Sequence, residues 1–248
     1  MPASEFLLID ISNSFTKLAL SSAEKLGPSR KTPTRTLTED DLRRVLRGWR
    51  FRRVVLSSVV PEKGALVTRH LSAFPILNIS TRSTLGVGID YPKPQTIGAD
   101  RLANAAAAAH YFSAPVVVVD FGTAVTFDII SAERKYVGGV IAPGLEAMTD
   151  YLHTRTAQLP KISLLEPPGP IGKSTRHAML AGAVYGYRGL VRQILSEIAR
   201  ELGTRRKLKV VATGGYAELI AAGLPEIAIV QPQLTLEGLR IVGNLNPP

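Results

Sequence analysis

One strand–turn–strand pattern occurs twice in this chain of 248 residues. In the first copy an apolar run ends at Asp10, a short polar turn follows, and a second strand-like run begins near Phe15. In the second copy the run Val116–Val119 ends at Asp120 and leads into another turn and strand-like run. One copy opens each half of the chain. The repeat therefore predicts a duplicated fold with a site between the two halves.

The turn in each copy contains residues that suit phosphate binding. A carboxylate followed by small hydroxyl residues is unfavourable in a core, because buried polar groups need partners. Such a turn exposes backbone N–H groups that bind anions, and Lys17 adds a positive charge to the first copy. The simpler interpretation is an ordinary hairpin with Asn13 in its turn. The second copy at residues 120–128 favours phosphate binding.

The rest of the chain predicts an α/β fold with mixed sheets. Each half begins with consecutive strands and continues with alternating helices and strands, and we divide the halves at 1–112 and 113–248. We predict strands at 5–10, 15–21, 53–59, 76–79, 116–120, 124–130, 136–141, 208–212 and 227–230. We predict helices that begin near Thr38, Pro61 and Ala99, one through Met148, and others at 174–202 and 235–243. The stretches 83–97 and 159–173 are expected to be loops.

Composition limits the class of protein. The chain contains no cysteine, which excludes disulfides, thiol catalysis and cysteine-bound metals. Hydrophobic residues make up 45% of the chain, a usual value for a globular protein. No apolar run approaches the roughly 20 residues that cross a bilayer, and a strand-like run starts already at Phe6 with no leader pattern. We therefore expect a cytoplasmic protein with no membrane partner.

The net charge of +10 suggests an anionic partner. Basic residues are concentrated at 43–53 and again at Arg205, Arg206 and Lys207. Nucleic-acid binding is one interpretation, but runs of charge usually form solvated faces. A positive field also attracts small anionic substrates such as nucleotides. We favour the second interpretation and expect no nucleic-acid partner.

The segment Gly98–Arg101 lies at the start of a predicted helix. Asp100 falls in the first turn, where the helix dipole favours a charged carboxylate. It could act as a base beside the cationic Arg101, or it could simply stabilise its own helix.

Two glycine-containing segments have open interpretations. Residues 169–175 resemble a P-loop only in part, because Pro167 stands where the pattern requires a glycine. We interpret this segment as a substrate loop with Ser174 or Thr175 near a helix N-cap. The segment Thr213–Gly215 suits close backbone approach to an adenosine, although a plain strand-to-helix turn fits equally well.

These motifs, in this order, resemble those of type III pantothenate kinases, which belong to the acetate kinase/sugar kinase/Hsp70/actin superfamily. The family motif D-x-G-N-T-x-x-K is matched by residues 10–17, and G-x-D-R by residues 98–101. The motif D-x-G-T-x-x-T-x-D is matched in full by residues 120–128, and G-G-x-I-x-P-G by residues 138–144. The resemblance covers nearly the whole chain. It implies two duplicated ribonuclease H-like (actin-like) halves, each a mixed sheet flanked by helices, with the site in the cleft between them.

The resemblance also implies an activity and residue roles. The activity would be ATP-dependent phosphorylation of pantothenate, the first step of coenzyme A biosynthesis, by a homodimer that uses Mg²⁺ with the nucleotide. Asp100 would be the catalytic base, and Asp120 would help bind a monovalent cation, K⁺ or NH₄⁺. The residues expected to contact ATP are Asp10, Ile11, Ser12, Asn13, Ser14, Phe15, Thr16, Lys17 and Thr123. Those expected to contact pantothenate are Tyr91, Gly98, Ala99, Asp100, Arg101 and Thr175.

The first phosphate motif departs from the family pattern. Ser12 stands where the family has glycine, and Ser14 where it usually has threonine. The Cβ of Ser12 occupies a place where glycine would allow close phosphate approach or a positive φ. This departure leaves open a non-catalytic regulator on the same scaffold, as in the Bvg accessory factor proteins. A kinase for another small hydroxylated substrate is the third interpretation.

Overall fold

The computed structural model describes residues 4–203 and 208–247. Its strands are β1 (Ser4–Ile11), β2 (Phe15–Ser21), β3 (Leu26–Pro33), β4 (Phe51–Ser58), β5 (Ile76–Asn78), β6 (Gly88–Ile89), β7 (Val116–Phe121), β8 (Ala124–Ile130), β9 (Lys135–Pro143), β10 (Lys209–Gly214) and β11 (Ile229–Val230). Its helices are α1 (Glu39–Leu46), α2 (Pro61–His70), α3 (Ala99–Tyr111), α4 (Leu145–Arg155), α5 (Thr175–Glu201), α6 (Ala217–Ala221) and α7 (Leu234–Leu245). None of the helices in these ranges combines the length and apolar character that crossing a bilayer requires. The basic run Arg205, Arg206 and Lys207 lies outside the described residues.

The chain forms two compact units. The first contains the described residues up to Phe112, the short segment Arg134–Val137 and the C-terminal segment from Gln233. The second contains Ser113–Glu133 and Gly138–Pro232. Each unit is therefore built from more than one segment of the sequence.

The sheet of the first unit has the strand order β3-β2-β1-β4-β5. Strand β1 is antiparallel to β2 and parallel to β4. Its side chains at Leu7 and Ile9 pack with Leu42 of α1 and Val67 of α2 in one apolar core. Because β1 is central and buried on both faces, its last polar residue, Asp10, is fixed at the end of a rigid element.

The second unit repeats this arrangement with the order β11-β10-β7-β8-β9. Strand β7 is antiparallel to β8 and parallel to β10, just as β1 is to β2 and β4. Val117 and Val119 of β7 pack against Val184 and Val191 of the long helix α5. The matching topology confirms the predicted duplication of strand, aspartate, turn and strand.

The C-terminal helix α7 belongs to the first unit, although it follows the second half in sequence. Gly238 of α7 sits directly on the backbone of Ala103 in α3, where a Cβ would overlap the carbonyl group. Arg240 donates to the backbone carbonyl of Ala23 (2.6 Å) and pairs with Glu237, which accepts from Tyr111 (2.8 Å). These contacts attach the end of the chain to the first sheet.

Most predicted elements are present, and their caps follow the predicted chemistry. Thr38 accepts from Asp41 N, and the Asp41 side chain accepts from Thr38 N, which forms a capping box. Strand β3 was missed, because its glycine, prolines and charged residues resemble a loop. It is an edge strand with mostly exposed side chains, a position where such residues are tolerated. The predicted loop 83–97 contains β6 and a short 3₁₀ turn at Pro94–Thr96.

Candidate active site

The first phosphate turn is organised around Asp10, whose side chain is only 1% exposed. Its two carboxylate oxygens accept hydrogen bonds from Ser12 Oγ (3.2 Å) and Ser57 Oγ (3.3 Å). The turn is closed by a bond from Ser12 N to Phe15 O (3.1 Å). Lys17 lies directly opposite Asp10 in the antiparallel pair, so both side chains project from the same face of the sheet.

Ser12 fits its position without backbone strain. Among the described residues other than glycine, only Arg134 has a positive φ, so Ser12 does not need the conformation that favours glycine. The equivalent residue of the second copy, Gly122, also has space around it, because an added Cβ would lie no closer than 3.4 Å to Ala124 O. The serine hydroxyl is directed towards Asp10.

We expect Ser12→Gly to have a small effect on nucleotide binding. The change removes one hydrogen bond to Asp10, which is worth about 1 kcal/mol, and the backbone conformation does not depend on it. The KM for ATP should therefore change by less than about tenfold, a factor that corresponds to about 1.4 kcal/mol. Steady-state kinetics at varied ATP concentration measures this. A larger fall in KM would show that the Ser12 side chain obstructs the phosphates.

Asp100 lies in the first turn of α3, and its carboxylate occupies space that Gly98 leaves open. An added Cβ at Gly98 would lie 2.6 Å from Asp100 Oδ1, and 3.5 Å from Cγ1 of Val59. The same Oδ1 accepts a hydrogen bond from the backbone N–H of Arg101 (2.8 Å). Gly98 itself is the N-cap and supplies no side-chain cap. The helix dipole and the local N–H group both stabilise a charged carboxylate here.

Tyr136 connects two residues that were predicted to contact substrate. Its ring lies 6.1 Å from the ring of Tyr91 in an edge-to-face arrangement, and the guanidinium carbon of Arg101 lies 5.8 Å from its centroid. Strand β6 pairs with the start of β9, and Asp90 N donates to Tyr136 O (2.9 Å). Tyr136 is 1% exposed. It is not among the residues predicted from the sequence, because a single tyrosine in a strand gives no signal of contacts with Tyr91 and Arg101.

The second phosphate turn is held by glycines that accept no Cβ. Gly144 N donates to Thr123 O (3.1 Å), and a side chain on Gly144 would overlap the carbonyl groups of Gly122 and Thr123. Gly214 has φ +95°, and a Cβ added to it would lie 2.6 Å from Asp120 Oδ1 and from the backbone of Phe121. The turn after β7 and the end of β10 are thus in close contact.

Asp120 has oxygen donors aligned with it on both neighbouring strands. Thr213 of β10 and Thr126 of β8 are its register partners. Thr213 Oγ1 is buried and has no hydrogen-bond partner among the described residues. Carboxylate and hydroxyl oxygens are the donors that hard cations prefer. A buried hydroxyl without a partner, in register with a carboxylate, fits the predicted cation site.

Two tyrosines fix the surroundings of the second turn. Tyr216, just after Thr213–Gly215, donates a short hydrogen bond to Glu146 of α4. Burial, with the Glu146 carboxylate adding to it, raises the pKa of Tyr216. Tyr187 of α5 donates to Pro143 O (2.9 Å), and burial raises the pKa of its phenol. Both phenols therefore remain protonated donors at neutral pH.

Thr175 is the first residue of α5 and is exposed. The preceding residue, Ser174, is the N-cap and accepts from His177 N (3.3 Å), as predicted for this segment.

The candidate residues divide between the units. The first unit carries residues 10–17, Tyr91 and Gly98–Arg101, and the second carries Asp120, Thr123 and Thr175.

Solved structures with low sequence identity share the fold. A Campylobacter jejuni protein described as a Baf family transcriptional activator aligns over 95% of this chain and 96% of its own, with a TM-score of 0.60 and 20% identity. MreB 5 of Spiroplasma citri, solved with AMPPNP, aligns over 98% of this chain and 97% of its own, with a TM-score of 0.53 and 12% identity. These likenesses confirm the predicted actin-like fold.

Sequence comparison identifies the family. Residues 6–197 match the family described as type III pantothenate kinase. A protein of that name from Akkermansia muciniphila is 54% identical over 242 residues, which cover 97% of this chain and 99% of that protein. Another from Methylacidiphilum infernorum is 41% identical, and the alignment covers 96% of this chain and 88% of that protein. This chain belongs to the type III pantothenate kinase family.

Proposed function

We propose that this chain catalyses the ATP-dependent phosphorylation of pantothenate to 4'-phosphopantothenate, the first step of coenzyme A biosynthesis. The observation that carries this proposal is that Asp10 and Asp120 occupy equivalent positions in the two sheets. Each is the second-last residue of the central strand of its sheet, and each is followed by a turn whose residues match a phosphate motif. The name shared by the curated relatives supports the same reaction.

Asp100 acts as the base in this proposal. Phosphoryl transfer depends mainly on positioning and charge neutralisation, because the protein forms no covalent bond to the phosphoryl group. A charged Asp100 orients the pantothenate hydroxyl and accepts its proton as the bond to the γ-phosphorus forms. The bond between the γ-phosphorus and the bridging oxygen breaks, and ADP leaves. Arg101 and Tyr91 bind the rest of pantothenate, with Thr175 as a further contact.

The two phosphate turns bind the nucleotide. Backbone N–H groups of residues 11–16 and the ammonium group of Lys17 contact phosphate oxygens, and Thr123 contributes a hydroxyl from the second turn. The segment Thr213–Gly215 contacts the adenosine, where the absence of side chains on its glycines permits close approach.

Asp120 and Thr213 would hold the monovalent cation, K⁺ or NH₄⁺, in this proposal. The aligned carboxylate and the buried hydroxyl without a partner support that assignment. The cation would supply positive charge near the phosphates. Mg²⁺ would enter with ATP, because it is usually bound largely through substrate phosphates. We also propose a cytoplasmic location, where both substrates would be available.

We further propose a homodimer in solution. Helices α4 and α5 line an apolar groove in the second unit, with Met148, Leu152 and Met179 among its residues. Tyr151 at its edge is 63% exposed. An apolar surface of this kind is typical of protein contacts. Sedimentation velocity measures the mass in solution, and a monomer at micromolar concentration would contradict this assignment.

We expect the ring of Tyr136 to be needed for pantothenate affinity. Its contacts to Tyr91 and Arg101 are made by the ring, so Tyr136→Phe keeps both and should raise the KM for pantothenate less than Tyr136→Leu does. Tyr136→Leu removes the ring contacts, each worth about 1 kcal/mol. The KM for pantothenate should rise about tenfold in that variant, while the KM for ATP stays within about twofold.

Steady-state kinetics with each substrate varied in turn separates this role from general destabilisation. A merely structural role would lower both affinities or the folded fraction together. Equal effects of Phe and Leu at position 136 would contradict the proposed ring contacts.

An assay of ADP release distinguishes this function from its alternatives. Purified protein is mixed with ATP and Mg²⁺, with and without pantothenate, and with K⁺, NH₄⁺ or Na⁺. The kinase predicts ADP release that requires pantothenate and is stimulated by K⁺ or NH₄⁺. A regulator would bind ATP without pantothenate-dependent release. A kinase for another substrate would release ADP only with a different hydroxylated compound.

A further inference from the structure

Strand β3 places a second lysine beside the first phosphate turn. In the pairing of β2 with β3, Lys17 lies directly opposite Lys31. Residues that lie opposite each other in antiparallel strands project from the same face of the sheet. Ser57, Asp10, Lys17 and Lys31 therefore form one row across four adjacent strands, all on the same face.

The Lys31 side chain extends out of this row, along the strands, towards Phe15 at the phosphate turn. Its Nζ lies 3.6 Å from the centroid of the Phe15 ring, and Phe15 immediately follows the turn residues Asn13 and Ser14. Phe15 is 40% exposed, so the ammonium group and the ring both remain accessible to a ligand. The aromatic face holds the lysine in place without neutralising its charge.

The row holds two lysines but one carboxylate, Asp10, so it carries an excess of positive charge. Like charges directly opposite in a sheet repel each other and destabilise the pair. Within the described residues, no ion pair joins Lys31 to a carboxylate. A ligand with several negative charges on this face would relieve the repulsion. A nucleoside triphosphate has that chemistry, whereas neutral ligands and single carboxylates do not.

We propose that Lys31 is a second phosphate-binding residue, which contacts the polyphosphate of the nucleotide beside Lys17. This inference rests on the proposed function, since it assigns a further contact to the same nucleotide site. The stacking of Lys31 on Phe15 holds the ammonium group next to the turn before the nucleotide arrives. Neither residue 31 nor strand β3 belongs to the sequence motif that marks this site.

Nucleotide binding without pantothenate tests the inference. Isothermal titration of MgATP into the Lys31→Gln variant should give a Kd about tenfold higher than that of the wild type. Lys31→Arg keeps the charge and should stay within about threefold, since a cationic side chain at that position can still reach the phosphates. Lys25→Gln is the matched control, because this exposed lysine makes the same charge change at the other end of the β2–β3 hairpin. Its Kd should equal that of the wild type.

The outcomes separate this inference from the proposed function. Equal MgATP affinity in Lys31→Gln and the wild type would overturn the inference, even if the wild type phosphorylates pantothenate. Failure of the wild type to bind MgATP would also overturn it. A wild type that binds MgATP through Lys31 but does not phosphorylate pantothenate would support the inference and refute the function. An equal loss in Lys25→Gln would show only a general charge effect and would overturn the specific contact.

Discussion

Asp100→Asn is expected to lower kcat about a thousandfold while the protein stays folded. The amide keeps the size of the side chain but cannot accept the proton of the attacking hydroxyl, and general base catalysis of this kind is worth about 10²–10⁴-fold. Asp100 is only partly buried, and its contact with Arg101 N can be made by the amide oxygen. Measurements of kcat and of the thermal melting curve check both parts.

The matched control for this variant is Asp40→Asn. Asp40 lies in the first turn of α1, as Asp100 does in α3, and its side chain is 88% exposed. Its replacement makes the same charge change at another helix N-terminus and should leave kcat unchanged. Wild-type turnover in Asp100→Asn would show that a different group accepts the proton.

Gly214→Ala is expected to damage both the stability and the nucleotide site of the second unit. At φ +95° an alanine is strained, and its Cβ would lie 2.6 Å from Asp120 Oδ1 and from the backbone of Phe121. Strain and displacement together cost about 2–4 kcal/mol. For a chain of this size that loss corresponds to a Tm lower by about 4–15 °C. Because Asp120 must also move, MgATP binding should weaken in the fraction that remains folded.

The neighbouring glycine supplies a control for this prediction. Gly215 has no positive φ, and no atom lies within 4 Å of the position that its Cβ would occupy. Gly215→Ala should therefore change the free energy of unfolding by less than about 1 kcal/mol. Differential scanning fluorimetry with and without MgATP compares the two variants. Equal melting temperatures for both would contradict the close contact between Gly214 and Asp120.

The sequence was sufficient to predict the strands and turns that carry Asp10 and Asp120. An apolar run that ends in aspartate and continues into a polar turn fixes both the strand and the position of the carboxylate. The repetition of this pattern predicted the duplicated sheets, and the register of Asp10 with Lys17 follows from the short turn between them. The capping box of Thr38 and Asp41 was predictable for the same reason, since its chemistry is local.

Long-range contacts could not be predicted in this way. Strand β3 carries an unfavourable local sequence and forms because β2 offers it a free edge. Tyr136 gains its contacts through a two-residue pairing of β6 with β9, which no local pattern specifies. The inclusion of α7 in the first unit depends on the fit of Gly238 against Ala103. Each of these depends on a partner that is distant in sequence.

The serine at position 12, where the family has glycine, disturbs the turn less than the sequence suggested. The expected need for a positive φ does not exist at this position, because Ser12 adopts an ordinary backbone conformation. Its hydroxyl donates to Asp10 Oδ2 at 3.2 Å and so adds a bond to the carboxylate near the end of β1. The backbone of the turn therefore gives no reason to prefer a non-catalytic regulator.

Detection of the phosphorylated product tests the proposed activity most directly. Purified protein is incubated with ATP, Mg²⁺, K⁺ and pantothenate, and the pantothenate pool is analysed by mass spectrometry. We expect the wild type to form 4'-phosphopantothenate and ADP in equal amounts, and Asp100→Asn to form almost none. ADP release without this product, or no reaction in the wild type while MgATP is bound, would contradict the assignment of this chain as a pantothenate kinase.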